Sequence, residues 1–191
     1  MATSNSTDFE PNVAEFIEEA YERCGLELRT GYDLKTAVRS VNLMLAEWAN
    51  RGLNQWTIEQ ATQTVTQGTN EYTLNANIID ILDVVVRRTV NNVQTDISIS
   101  RVGRSEYLNI PNKETQSRPT QYFLDKSIIP ILKVWPAPEN STDILVFNKI
   151  VRMDDADAAT NNIDMPFRFY PCFVAGLSYY LSLKKAPQLT P

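Results

Sequence analysis

Apolar positions recur every three or four residues through Tyr32–Trp56, where Leu34, Ala37, Val38, Val41, Leu45, Trp48 and Ala49 share one helical face. Gly52 follows and suits the left-handed position that ends a helix, since it has no Cβ to clash. A lone helix of this length is marginal in water, so its stripe needs apolar cover from elsewhere in the chain. Upstream, Val13, Phe16, Ile17, Ala20, Tyr21 and Cys24 predict a first helix that Gly25 closes. Thr7 or Asp8 is its expected cap, with Glu10 three residues after Thr7 as in a capping box. The short connection Leu26–Gly31 makes these two helices antiparallel neighbours. A third helix is predicted over Pro171–Lys185, announced by Asp164 and Pro166, with Phe173, Val174, Leu177, Tyr180 and Leu181 on its apolar face. It is the expected cover for the first two.

The period changes after Gly52. Trp56–Gln67 alternates Thr and Val with polar residues and reads as a strand. Further strands are predicted at Glu71–Leu74, Ile78–Val90, Val93–Ser100, Thr120–Leu124, Ile128–Trp135 and Asp143–Val151. Asn91-Asn92 is the expected hairpin turn. Ser105 is placed to cap a short helical turn through Tyr107 and Leu108. The fold class expected is therefore α+β: an antiparallel helical bundle built from both chain ends, with an inserted antiparallel β-sandwich or barrel-like domain. The expected boundaries are 7–56 with 164–191 for the bundle, 57–151 for the β domain and 152–163 for an acidic linker loop. The ending KKAPQLTP stops among prolines, and a tail that continues it or orders on a partner is expected.

Composition narrows the function. The chain is 43% hydrophobic, which argues for a packed core rather than disorder. No apolar run is long enough to span a membrane. There is no histidine, which excludes Ser-His-Asp and Cys-His catalysis and most zinc sites. A net charge of −5 argues against tight non-specific binding to nucleic acid. Glu15, Glu18, Glu19 and Glu22 read as a solvated helix face or as a hydrolytic carboxylate pair. Asp154, Asp155 and Asp157 read as a plain acidic loop or a hard-cation site. Cys24 and Cys172 are expected as buried thiols packed together, the alternatives being a nucleophile or a disulfide. Trp48 and Trp56 are core residues or binding anchors. Arg87, Arg88, Arg101, Arg104, Lys113 and Arg118 concentrate basic charge in the β segment; without interleaved stacking aromatics they are candidate protein-contact residues, the alternative being a DNA-facing patch, and Lys184, Lys185 and Leu189 near the end are further candidate contacts. No phosphate-binding loop, zinc-protease helix or nucleophile elbow is present, and no cofactor or metal is expected. By elimination the residues describe a non-enzymatic protein that binds other proteins.

Several stretches carry a resemblance: SVNLMLAEWANRGLNQWTIEQ at 40–60, DILDVVVRR at 80–88, SRVGRSEYLNIPNK at 100–113, RPTQYFLDK at 118–126, PILKVWPAPEN at 130–140 and DMPFRFYPCFVAGLSYYLSLKK at 164–185. In this order they are similar to the head–tail adaptors of short-tailed bacteriophages, the tail tubular protein A type. The resemblance implies a virion component, assembled in the host cytoplasm, that forms a homo-oligomeric ring, usually of twelve copies. Its helical part would meet the portal protein and its β part the tail nozzle protein. The ring would lengthen a channel through which DNA passes without specific binding. The alternatives are a tail-associated peptidoglycan hydrolase and another head- or tail-completion factor.

Overall fold

The computed structural model describes residues 5–187, and they fall into two compact units. Residues up to Trp56 together with those from Met153 onward form one unit, and Thr57–Arg152 form the other.

The first unit holds helices α1 (Val13–Arg23), α2 (Gly31–Asn50) and a later helix, Tyr170–Lys185, preceded by a tight 3-10 turn at Phe167–Phe169. Their stripe residues share one core, including Val13, Phe16, Ile17, Ala37, Val41, Met44, Phe173, Leu177 and Leu181. The start of α1 differs from expectation. Asn12, not Thr7 or Asp8, is the cap: its side chain accepts from Glu15 N at 3.0 Å and donates to Glu15 Oε1 at 3.1 Å. Two further amides of that first turn, Val13 N and Ala14 N, donate to Asn161 O and Ala159 O. Those groups would otherwise lack partners, so the acidic loop completes the helix start. The loop also contributes Met153, Ala156 and Ile163 to the core. Asn42 of α2 grips it by accepting from Ala156 N and donating to Ala156 O, at 2.8 and 3.3 Å. Thr30 caps α2, and Gly52 adopts a φ of 86° just past its end.

The second unit is a seven-stranded curled sheet in the order β1-β7-β3-β4-β5-β6-β2. The strands are β1 (Ile58–Thr64), β2 (Glu71–Thr73), β3 (Ile78–Val90), β4 (Val93–Arg101), β5 (Gln121–Asp125), β6 (Ile131–Trp135) and β7 (Ile144–Val151). A short helix, α3 (Arg104–Leu108), follows β4, so the long terminal helix is α4 (Tyr170–Lys185). One expectation is corrected here: the unit is neither a sandwich nor wholly antiparallel. It is one mixed sheet, because β4 and β5 pair in parallel, Ser100 with Gln121 and Arg101 with Tyr122. The long connection through α3 makes that possible, since a parallel pair needs a crossover rather than a tight turn.

The two edge strands, β1 and β2, are consecutive in sequence, and residues 65–70 join them. That short connection draws the edges together and curls the sheet around a core of Ile81, Val84, Val86, Tyr122, Leu132, Val134, Leu145 and Phe147. Thr66 N donates to the Tyr72 hydroxyl, which itself donates to Thr69 O. At the β3–β4 hairpin Asn91 and Asn92 both take positive φ, 50° and 61°, as a two-residue turn of this hand requires. Strand β6 starts after Pro130, as a residue without an amide donor dictates. Strand β1 starts later than Trp56 because that indole is held in the helical unit, donating to Asp164 O at 3.0 Å and lying 4.6 Å from the Phe169 ring.

Candidate interaction surfaces

The basic residues of the sheet-rich unit do not form an open cationic patch. Arg87 and Asp96 face each other across β3 and β4 and make two hydrogen bonds, at 2.8 and 2.7 Å. Arg88 reaches Asp143 at 2.8 Å and Glu139 at 2.9 Å. Burial alone would push the Asp143 carboxyl up, but hydrogen bonds from Arg88 and Asn140 outweigh it and hold the group below the usual carboxylate range. The same contacts, Asp143 first and then Glu139, raise the Arg88 guanidinium well above its ordinary value. Arg118 adds to the positive field on Asp143. Arg101 pairs with Asp80, which also takes Lys126. Arg104 pairs with Asp125 and lies over the Phe123 ring. Lys113 donates to Leu108 O and Ile110 O and sits over Tyr107. Most of this charge therefore ties the strands and loops of its own unit together.

In the helical unit Lys185 pairs with Asp33 at 2.6 Å, and Lys184 donates to Ser40 Oγ at 2.6 Å. Hydrogen bonding to Lys185, then to Thr30, lowers the Asp33 carboxyl. Both lysines therefore link α4 to α2. Leu189 lies outside the described residues. Trp48 and Trp56 pack on the helical core, Trp48 edge-on to Phe173 at 6.4 Å. Cys24 is buried and donates to Ser178 O, and burial pushes its thiol up, which is the wrong direction for a nucleophile. The expectation for Cys172 is corrected: it is exposed on the opposite side of α4 from Phe173 and Leu177, so the two sulfurs are not packed together. Its position was misread because it precedes the apolar stripe by one residue.

The acidic residues sort in the same way. Glu15, Glu18, Glu19 and Glu22 all lie on the exposed face of α1. Glu15 is engaged by Asn12 and Glu19 by Arg23. A hydrolytic pair needs one carboxyl buried enough to stay protonated, and this face is open to water. Asp154 N donates to Asp164 Oδ2 at 3.2 Å. Among the described residues no group of His, Cys, Asp or Glu gathers as a metal site would require.

Sequence reasoning missed an apolar groove of about 430 Å³ between α1 and the start of α4, lined by Phe9, Pro11, Phe16, Tyr170, Pro171 and Val174, with Glu15, Glu19 and Arg23 along it. Phe9 and Phe167 meet edge-on at 6.3 Å yet stay 66% and 65% exposed. Such exposed aromatic surface on a folded unit marks a contact site. The signal was two phenylalanines outside any helical stripe, each beside a proline-containing segment.

The family model for the SU10 adaptor protein matches residues 11–189, a span that takes in both units. The chain belongs to that family. It is thus a phage adaptor protein, a structural component of the virion that contacts other head and tail parts. No curated protein matches the adaptor. None of its described helices is long and apolar enough to cross a membrane. The apolar groove and exposed aromatics of the adaptor suit a protein whose role is contact with other chains.

Proposed function

We propose that the adaptor is a ring subunit of the tail tubular protein A type, placed between the portal protein and the tail nozzle protein, and that the ring extends the channel for DNA ejection. The observation that carries this reading is the family match, which runs through both units. On this reading the helices from both chain ends act as one bundle domain that docks on the portal, and the curled sheet carries the next tail component. Arg104 and Arg118, which are exposed, are proposed contacts of the sheet-rich unit. Ring closure uses surfaces that a single copy leaves open.

Co-expression with the portal protein tests the reading. The expected result is a stable complex in which several copies of the adaptor sit on each portal ring. An adaptor that stays monomeric beside an assembled portal would count against it. An adaptor found at another position in the particle would favour a completion factor instead.

A further inference from the structure

We infer that neighbouring copies join through the outer face of α1 on one copy and the outer face of α2 on the next, an inference that rests on the ring reading above. On α1, Glu18 and Glu22 are exposed and have no ion-pair partner among the described residues, whereas Glu15 and Glu19 are already engaged. On α2, Lys35 and Arg39 are likewise exposed and without an ion-pair partner among the described residues. Each pair is spaced four residues apart, which sets its charges about 6 Å apart along the helix. Like charges at that spacing weaken the helix that carries them. A facing pair of opposite sign relieves both helices at once.

The direction of the helices makes the match specific. Contacts of Phe16 with Tyr170 and of Cys24 with Ser178 show that α1 runs parallel to α4. Contacts of Trp48 with Phe173 and of Asp33 with Lys185 show that α2 runs antiparallel to it. With α1 and α2 of adjacent copies laid antiparallel, Glu22 meets Lys35 and Glu18 meets Arg39. One turn beyond Arg39 stands Leu43, 57% exposed. In the same register it comes opposite Ala14 of α1. The occupant is a second copy because one chain carries both halves of the match. Copies with a net charge of −5 repel at long range, so their contact has to join opposite charges locally. The two patches differ, so the contact is heterologous and propagates around a ring.

The test supplies charge-reversed chains to particles that lack their own copy and counts tail vertices bearing a closed ring in averaged images. Glu18→Lys with Glu22→Lys, or Lys35→Glu with Arg39→Glu, is expected to reduce ringed vertices at least about tenfold when supplied alone. Supplied together, the two variants restore the ring, because each then presents the charge its neighbour needs. Unchanged thermal unfolding of the purified variants checks that both fold, and the shape-preserving Glu22→Gln and Arg39→Gln give smaller losses in the same direction. A ring that survives either reversal overturns the inference alone, as does a mixture of folded variants that stays open. Absence of a ring with the unaltered chain overturns the ring reading and this inference with it.

Discussion

Asp143 has a side chain only 4% exposed and takes hydrogen bonds from Arg88 and Asn140. Its neighbour Asn140 also accepts from Thr142 N and Asp143 N, so one small turn fixes the entry to β7. Asp143→Asn removes the charge while leaving Arg88 in place. It should lower stability by about 2 kcal/mol, seen as a lower urea midpoint with an unchanged slope. The pH dependence follows from the depressed folded value. The contribution is complete above the unfolded value of about 3.9 and is lost as pH falls through the lower folded one. Acid titration of the urea midpoint should therefore fall less steeply for Asp143→Asn than for the parent. Equal acid slopes in the two proteins would show that the pair does not couple to folding. Sequence reading found the arginines but not their partners, because Arg88 and Asp143 meet only once β3 and β7 pair.

At the scale of elements, α2 and α4 come close together at Gly176. A Cβ there would stand 2.9 Å from Met44 Sδ and 2.9 Å from the Trp48 ring. Met44 can shift, but the Trp48 ring is wedged against Phe173. Gly176→Leu should thus part the two helices and cost about 2 kcal/mol, measurable as a lower thermal midpoint. At the β3–β4 turn, Asn92→Val places a β-branched residue at positive φ and should cost about 1–2 kcal/mol, whereas Asn92→Gly should not lower the midpoint. Periodicity revealed the helices and most strands because burial on one face imposes a period on the residues that face carries. It could not reveal the parallel β4–β5 pair, which depends on where a long connection returns. It also placed the cap of α1 at Thr7 or Asp8 rather than at Asn12, whose role depends on the loop at 159–161 closing over the same helix end.

At the scale of the whole molecule, the match to the SU10 adaptor family spans both units, and the exposed surfaces divide by character. The sheet-rich unit spends most of its arginines on internal ion pairs, so it offers few free cations to a passing nucleic acid. The helical unit leaves an apolar groove open and, among the described residues, two charge pairs without ion-pair partners. Charge alone did not single out the groove in the sequence, because its lining comes from residues near 9–16 and 170–174, far apart in the chain. The central claim is that many copies of this chain close into a ring between portal and nozzle. The most direct measurement is a reconstruction of the tail vertex of the intact particle, with copies of this chain counted around the axis. The account predicts a closed ring beneath the portal with an open channel at its centre. One copy per vertex, or copies located away from the portal, would contradict it.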